Sequence, residues 1–353
     1  MKAVVLSGGE GSRLRPITHT NAKQLIPIAN KPILFSALES IRDAGITEVG
    51  VVVGSTAAEV ENAVGYGDAW GLTVTYIHQS APLGLAHAAL VARKFVGRDP
   101  FVLYLGDNLL LEGITRFVRE FERHRPNAQI FLAQVPEPER FGVAVLDGER
   151  VTNLVEKPSE RISDLALVGV YLFDETLFEA AEAIKPSGRG ELEITDAIQY
   201  LIDSGRTVRA ERVTGWWKDT GRPEDLLEAN RMMLTNQEPR ISGEVDGASE
   251  LSGSVVIEEG GKVVRSHLEG PVIVGRGSVV EGSTVGPCTS IHNNCRVGGS
   301  VVENSIVLEG CRIEGISRLA DSILGRHVEV RPSGSAEPVH RLIVGDQSQL
   351  ELS

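Results

Sequence analysis

Every aromatic side chain of this 353-residue chain lies at or before Trp217, and from Lys218 to Ser353 there is no Phe, Tyr or Trp. Glycine and valine stay abundant after that point. A core without rings fits a narrow interior, because aromatic side chains are the bulkiest apolar groups. The break therefore predicts two architectures, as domains over residues 1–238 and 239–353, with a linker at Asn236–Ser249.

The aromatic-free part carries an aliphatic repeat with a six-residue period. Small or polar residues separate the repeated positions, which are Ile273, Val279, Val285, Ile291 and Val297. One inward aliphatic side chain per flat face, with turn-tolerant residues at the corners, is the pattern of a triangular β-helix. A glycine-rich β-sandwich stays the alternative, although sandwich strands alternate with period two and have no fixed six-residue spacing.

The first part alternates β-branched runs with segments of helical apolar spacing. This alternation predicts an α/β domain with a Rossmann-like mixed, mostly parallel sheet, whose ligands gather at the carboxyl ends of the strands. A later hairpin and strand predict an antiparallel lid region. The predicted strands are Lys2–Ser7, Glu48–Gly54, Leu72–His78, Pro100–Gly106, Gln129–Val135, Gly142–Leu146, Val151–Val155 and Ala166–Phe173. The predicted helices are Pro32–Ala44, Ala57–Val64, Gly84–Phe95, Glu112–Arg123, Thr176–Ile184, Ile194–Ser204 and Pro223–Leu234.

Charge and composition exclude several classes of protein. The formal net charge of −13 argues against a nucleic-acid surface held by counterion release. No apolar run reaches the length of a membrane span, and Ala3–Leu6 is too short for the apolar region of a signal peptide, so we expect a cytoplasmic protein. The three cysteines lack the Cys-x-x-Cys spacing of zinc or redox sites, and we expect buried thiols.

A glycine-rich loop, LSGGEGSRLRP, follows the first predicted strand. Glycines there let backbone N–H groups approach a polyphosphate, and Arg13 offers a charged fork to its oxygens. No Gly-Lys-Ser/Thr follows, as a Walker A loop requires, and Leu14 stands where the dinucleotide fingerprint has its third Gly or Ala. By itself the loop is explained equally well as a structural turn.

The continuation KQLIPIANKP, over residues 23–32, completes a larger signature. With the glycine loop it resembles the opening of the nucleotide-sugar pyrophosphorylases, the nucleotidyltransferases of sugar 1-phosphates. Within that family the Lys-Gln-Leu form is similar to the glucose-1-phosphate thymidylyltransferases. Short members usually have Asp before the glycine of the base-recognition loop, whereas this chain has Leu83 before Gly84, which points to the long form with a C-terminal left-handed β-helix.

The resemblance implies transfer of a thymidylyl group from dTTP to α-D-glucose 1-phosphate, which gives dTDP-glucose and pyrophosphate. Four further segments match the family in chain order: QSAPLGLAH from Gln79, LGDN from Leu105, EKP from Glu156 and RGELEITD from Arg189, and WWKDTG from Trp216 resembles its second metal motif. We expect a homo-oligomer with neither nucleic acid nor membrane as a partner.

The resemblance also implies roles for individual residues. Asp107 and Asp219 would hold Mg²⁺, an ion that takes one or two carboxylates plus substrate phosphates. The residues expected to carry the chemistry are Arg13, Lys23, Asp107, Lys157 and Asp219. The expected nucleotide ligands are Leu6, Gly8, Gly9, Gly11, Ser12, Arg13, Gln24, Gln79, Pro82 and Gly84. The expected ligands of the sugar phosphate are Asn108, Gly142, Glu156, Lys157, Val168 and Arg189.

Some alternatives stay open at this stage. Uridylyl transfer to the same sugar phosphate is one, and a non-catalytic sensor of nucleotide sugars is another. The β-helix is expected to serve assembly, since no site is evident in it. A second, acetyl-transferring activity would have only His267, His292 and His327 as candidate residues. His19, His78 and His87 are expected to pack or to lie at the surface, with no role in the site.

Overall fold

The structure is a computed structural model and describes residues 1–332. Its contacts divide the chain into two compact units, neither of which is one continuous stretch. The first consists of Met1–Glu10, Asn21–Leu25 and Ile33–Asp219, and the second of Gly11–Thr20, Ile26–Pro32 and the residues from Thr220 onward. The domain limits at 238 and 239 stay a prediction. Among residues 1–332, no helix is long and apolar enough to cross a membrane.

Most of the elements up to residue 235 were predicted within one or two residues. The strands are β1 (Lys2–Ser7), β2 (Pro27–Ile28), β3 (Lys31–Pro32), β4 (Glu48–Val53), β5 (Thr73–His78), β6 (Phe101–Leu105), β7 (Asn108–Leu110), β8 (Ala128–Gln134), β9 (Gly142–Asp147), β10 (Arg150–Glu156), β11 (Leu165–Phe173), β12 (Val208–Arg212) and β13 (Trp217–Asp219). The helices are α1 (Ile33–Asp43), α2 (Ala57–Val64), α3 (Leu85–Val96), α4 (Thr115–His124), α5 (Thr176–Ala183), α6 (Ile194–Asp203) and α7 (Pro223–Thr235).

A nine-stranded mixed sheet forms the centre of the first unit. Its strand order is β5-β4-β1-β6-β11-β8-β12-β10-β9. Strands β5, β4, β1 and β6 run parallel, whereas β11 pairs antiparallel with both β6 and β8. The pairings leave only β10 and β11 opposed to the other seven strands, so the predicted mixed, mostly parallel sheet is confirmed.

Helices cover both faces of this sheet because side chains alternate along each strand. In β1, Val4 and Leu6 join one buried cluster with α3, α5 and α6, and Ala3 and Val5 join another with α1, α2 and α4. The antiparallel pairing predicted for the lid region is confirmed for β9, β10 and β11. These strands are part of the main sheet, since β11 bonds to both β6 and β8.

After α7 the chain forms coils of short parallel strands in three sheets. These sheets are consistent with the predicted left-handed β-helix and exclude the sandwich alternative. The strands are β14 (Arg240–Ile241), β15 (Glu244–Val245), β16 (Glu250–Ser252), β17 (Val255–Ile257), β18 (Lys262–Val264), β19 (His267–Glu269), β20 (Val272–Val274), β21 (Val279–Glu281), β22 (Thr284–Val285), β23 (Thr289–Ile291), β24 (Arg296–Gly298), β25 (Val301–Glu303), β26 (Ile306–Val307), β27 (Arg312–Glu314), β28 (Leu319–Ala320), β29 (Ile323–Leu324) and β30 (Glu329–Val330).

The strict six-residue register is wrong at two positions. Equivalent serines in successive coils are 17 residues apart, which is not a multiple of six, so the inward position shifts along the chain. Val280 is fully buried in the β-helix core, whereas Val279 is only half-buried. Ile273 packs in a separate cluster with Ala29 and Leu234.

Two smaller predictions also need correction. The expected linker at Asn236–Ser249 contains β14 and β15, which already pair with later coils. Cys295 and Cys311 are buried thiols as expected, but Cys288 is only half-buried.

Candidate active site

The carboxyl ends of four neighbouring parallel strands bring the predicted site residues of the first unit together. Strand β1 leads into Gly8 and Gly9, β4 into Gly54, β5 into Gln79 and β6 into Asp107. Because β5, β4, β1 and β6 are adjacent in that order, their following loops lie along one edge of the sheet. This edge is where an open α/β sheet binds its ligand.

The backbone at this edge is packed too closely for side chains at two of its glycines. A Cβ on Gly54 would lie 2.8 Å from the carbonyl oxygen of Gly8, and one on Gly106 would lie 2.9 Å from that of Leu6. The Leu6 carbonyl also accepts the Gly106 N–H at 2.9 Å. The carbonyl of Leu6, a predicted nucleotide ligand, therefore links β1 to the loop after β6.

Lys23 and Asp107 form an ion pair at this edge. The Lys23 ammonium bonds to Oδ2 of Asp107, although Lys23 itself is only 7% exposed. Burial alone would raise the pKa of Asp107, but the ammonium of Lys23 and the Asn108 amide, which donates to Oδ1 at 3.0 Å, hold that pKa below its usual value. Asp107 is therefore a carboxylate at neutral pH, with a fixed positive charge beside it.

A two-stranded ribbon places the second predicted metal carboxylate close to the first. Strand β13 pairs antiparallel with β7, and Asp219 lies opposite Asn108, the residue after Asp107. The indole N–H of Trp217 donates to Oδ1 of Asn108 at 2.7 Å. Asn108 is 2% exposed, so this bond fixes a side chain that in turn holds Asp107.

Three carboxylates act on the buried phenol of Tyr171. Burial raises the pKa of Tyr171 first, and the charges of Glu156, Asp219 and Asp107 raise it further. Within residues 1–332, no group of three or more His, Cys, Asp or Glu side chains has metal-ligand geometry. Two neighbouring carboxylates fit Mg²⁺, which takes most of its ligands from water and substrate.

The predicted base-recognition loop is held by its own contacts. Gln79 Nε2 lies 2.9 Å from Nδ1 of His87, which accepts when the ring proton is on Nε2. Gly84 has φ of 103° and packs against Leu192, whose N–H donates to the Leu83 carbonyl at 2.7 Å. This contact joins the base loop to the segment that carries Arg189. Pro82, another predicted ligand, is exposed.

The predicted sugar-phosphate residues form a second charged cluster. Arg189 Nη2 lies 3.2 Å from Glu156 Oε1, and Lys157 Nζ lies 3.6 Å from the same oxygen. Gly142 pairs with Glu156 across the hairpin, and a Cβ on Gly142 would meet Thr195 at 2.6 Å. The cluster therefore combines two cations with a carboxylate and leaves no room for a side chain at Gly142.

Glu193 holds Arg189 in this cluster. Both oxygens of the buried Glu193 carboxylate accept from Arg189 Nη2, at 2.9 and 2.8 Å, and Nε adds a bond of 3.2 Å. Partial burial lowers the pKa of Arg189, but the bonds and charge of Glu193 outweigh it and raise that pKa. Burial raises the pKa of Glu156, Lys157 opposes that effect, and Glu193 adds to it.

The remaining predicted residues differ in their unit or in their exposure. Gly11, Ser12 and Arg13 belong to the second compact unit, where Arg13 is exposed. The Val168 side chain is fully buried in a hydrophobic cluster, so only the backbone of this predicted ligand could contact a sugar. Gln24 is 3% exposed, and its Oε1 has no hydrogen-bond partner among the described residues.

Sequence reasoning missed three residues that orient the predicted ligands. His87 was assigned to packing or surface, yet it bonds to Gln79. Glu193 and Trp217 lie in matched segments, but the sequence predicts no role for either. The sequence carries a signal for Glu193, because Arg189 and Glu193 are four residues apart. No sequence pattern predicts the Gln79–His87 pair.

The fold and this charged edge define a nucleotide-handling α/β enzyme, and comparison with known proteins gives its class. Residues 2–236 match the family model described as nucleotidyl transferase. That match covers well over half of the chain, and the chain belongs to this nucleotidyltransferase family.

Relatives narrow the comparison within the family. The chain is 54% identical to a glucose-1-phosphate thymidylyltransferase of Streptomyces griseus over all of both chains. It is 52% identical to one of Streptomyces antibioticus, over 100% of this chain and 99% of the relative. A solved structure of a putative glucose-1-phosphate thymidylyltransferase from Bacillus anthracis, in complex with a sucrose, is 36% identical with a TM-score of 0.63 and covers 66% of this chain and 94% of its own. The predicted resemblance is confirmed.

Proposed function

We propose that this chain transfers the thymidylyl group of dTTP to α-D-glucose 1-phosphate and releases pyrophosphate. The observation that carries the proposal is the ion pair of Lys23 and Asp107, set beside Gln79 and the glycine loop at the carboxyl edge of the sheet. The two Streptomyces relatives match over essentially their full length, which supports the same substrates for this chain.

The reaction needs charge neutralisation more than proton transfer. A phosphate monoester has its second pKa near about 6, so the oxygen of the sugar phosphate is already largely anionic at pH 7. That oxygen forms a bond to the α-phosphorus of dTTP while the bond from the α-phosphorus to the β-phosphate oxygen breaks, and the electron pair leaves with pyrophosphate. No general base and no covalent enzyme intermediate are required.

The residues of this chain offset the repulsion between the two anions. In this proposal Lys23, nearly buried, lies beside the α-phosphate and the departing pyrophosphate, and Arg13 binds the triphosphate. Lys157 and Arg189 bind the sugar phosphate, and Glu193 fixes the angle of the guanidinium. Bound Mg²⁺, for which Asp107 and Asp219 would be the protein ligands, supplies further positive charge at the phosphates.

Base and sugar recognition use neutral groups as well as charged ones. The Gln79 amide can accept from the N3–H of thymine and donate to a carbonyl, and His87 restricts its rotation. We propose backbone contacts from Leu6, Gly8, Gly9, Gly11 and Gly84, with further nucleotide contacts from Ser12, Gln24 and Pro82. For the sugar we propose Asn108, Gly142, Glu156 and the backbone of Val168. We also propose a cytoplasmic homo-oligomer without nucleic-acid or membrane partners.

A pyrophosphate-release assay with Mg²⁺ and glucose 1-phosphate tests the proposal, with dTTP, UTP, ATP, GTP and CTP compared side by side. We expect the fastest release with dTTP. A preference for UTP would keep the mechanism and correct the base, because the one methyl group that distinguishes thymine from uracil contributes only about 1 to 3 kcal/mol. No release from folded protein with any nucleotide would contradict the proposal. Gln79→Ala should reduce the preference for dTTP, and the exposed Gln134→Ala is its control.

A further inference from the structure

Lys23 lies in a short segment of the first compact unit, Asn21–Leu25. The chain on both sides of this segment belongs to the other unit, so contacts rather than chain continuity must hold it in the first. Within it, Lys23–Leu25 forms one 3₁₀ turn, in which the Leu25 N–H donates to the Ala22 carbonyl at 2.9 Å. A single turn has too few internal bonds to be stable by itself, so its surroundings must fix it.

A side chain of helix α2 binds the backbone of this segment. Ala22 is fully buried, and its N–H donates to Oε2 of Glu59 at 2.7 Å. A buried backbone N–H needs a partner, and a carboxylate oxygen at this distance makes a strong, charge-assisted bond. The two residues are 37 positions apart in the chain, so the bond joins two separate elements of the first unit.

Helix α2 is firmly packed where it supplies this carboxylate. It follows strand β4 at the carboxyl edge of the sheet. Val60 and Val64 of α2 are buried in one hydrophobic cluster with Ala22 and Leu25. Apolar contacts keep the segment close to the helix but are non-directional. The bond from Glu59 adds direction, because it fixes which way the Ala22 peptide N–H points.

We propose that Glu59 is a positioning residue for catalysis, which holds the Lys23 backbone through the N–H of Ala22. Lys23 directly follows Ala22, so a rotation of the Ala22 peptide moves the start of the Lys23 side chain. The Lys23 ammonium bonds to Asp107, and the same motion would disturb this ion pair. A displacement of about 1 Å at a catalytic group can lower turnover by about a hundredfold. Glu59 then contributes to the reaction without touching substrate.

The test compares kcat and KM for Glu59→Ala, with Glu61→Ala as matched control. Glu61 lies on the same helix, and its carboxylate is 3.5 Å from Nε2 of the exposed His78, a surface pair that contributes little. We expect kcat of Glu59→Ala to fall about tenfold or more per folded molecule, with KM for glucose 1-phosphate little changed. Hydrogen exchange at the Ala22 amide should accelerate in Glu59→Ala, whereas Glu61→Ala should keep both the kcat and the exchange rate of wild type.

Two further variants separate the bond from the charge and from folding. In Glu59→Gln the amide oxygen can still accept the Ala22 N–H, so kcat should stay within about threefold of wild type and exchange at Ala22 should stay slow. If Glu59→Ala does not fold, Glu59→Asp replaces it, since the loss of one methylene withdraws the carboxylate from its 2.7 Å contact. We expect a severalfold fall in kcat for Glu59→Asp, again with KM for glucose 1-phosphate little changed.

Wild-type kcat in folded Glu59→Ala, or in Glu59→Asp where that variant replaces it, would overturn the proposal. An equal fall in kcat for Glu61→Ala, or a loss in Glu59→Gln as large as in Glu59→Ala, would also overturn it, because the bond to Ala22 would then not be the cause. The inference rests on the proposed function: wild-type protein without turnover would refute that function, whereas active wild type with unaffected Glu59 variants refutes only the positioning role.

Discussion

Buried polar groups are bonded differently at the carboxyl edge of the mixed sheet and along a row of serines in the β-helix. At the edge, Gln24 Oε1 and Ser7 Oγ are buried, and within residues 1–332 neither has a hydrogen-bond partner. Three carboxylates also lie close enough to Tyr171 to raise its pKa. Unpaired polar atoms and neighbouring like charges destabilise a folded chain, so this edge is arranged for a ligand rather than for stability.

A row of buried serines in the β-helix instead satisfies its hydroxyls by repetition, although the buried Thr289 hydroxyl has no partner among residues 1–332. Ser266 Oγ donates to the Val264 carbonyl at 2.8 Å and accepts the N–H of Ser283 at 3.1 Å. Ser283 repeats the arrangement one coil later with Ser300. Each serine completes a bond that the next coil needs, and the aliphatic interior lies beside this ladder. Substitutions should therefore affect turnover at the edge and stability in the coils.

The largest effect is expected at Lys23. Lys23→Met removes the charge beside the reacting phosphates, and turnover should fall by about 10²- to 10³-fold. Lys94→Met, at an exposed position of α3, should leave turnover unchanged. Steady-state pyrophosphate release from both variants gives the comparison. If uncompensated Asp107 prevents folding of Lys23→Met, Lys23→Arg keeps the charge and should still turn over more slowly than wild type. Wild-type turnover in either Lys23 variant would remove that residue from the chemistry.

A stability effect without a turnover effect is expected in the coils. Leu268 is fully buried in the β-helix core, so Leu268→Ala should destabilise that unit by about 2 to 5 kcal/mol. Urea unfolding followed by circular dichroism measures the loss. Because the apolar cluster around Leu268 contains none of the predicted site residues, kcat per folded molecule should stay at the wild-type value. A large fall in kcat with unchanged stability would contradict the expectation that the coils affect stability and the sheet edge affects turnover.

A smaller and more selective effect is expected at Glu193. Glu193→Gln weakens the fork that fixes Arg189, so KM for glucose 1-phosphate should rise about tenfold, while KM for dTTP stays the same. Glu191→Gln is the control, because its contact to Arg189 is longer, at 3.6 Å, and solvent-exposed, and exposed pairs contribute little. Equal changes in both KM values would mean that Glu193 supports the fold rather than the sugar-phosphate site.

The first unit was predictable because its signals are local. β-Branched runs such as Lys2–Ser7 and Glu48–Val53 form strands that are buried at every position after the first, with glycine turns after them, and the sequence pattern marks both ends. Strand β12 was missed because Val208–Arg212 contains two arginines and a glutamate, which hide the strand period. It is a strand because it pairs with β8 on one side and with β10 on the other.

The site was predictable as a set of motifs and not as a network. The motifs place Lys23, Asp107 and Asp219 near one sheet edge, but the bonds of Trp217 to Asn108 and of His87 to Gln79 depend on how separate elements pack. The β-helix register failed at Ile273 for a related reason. An aliphatic residue can face either the coil interior or a neighbouring element, and the sequence does not distinguish the two.

We propose that Asp107 and Asp219 would hold one Mg²⁺ together and act as a unit on the substrate phosphates. A double-substitution cycle tests it most directly, with single-turnover rates of wild type, Asp107→Asn, Asp219→Asn and the double variant measured at saturating dTTP and glucose 1-phosphate. If the two carboxylates share one ion, each single variant should lose about as much rate as the double variant, because either change removes the same function. Rate losses that simply multiply, or a double variant with wild-type rate, would contradict the account.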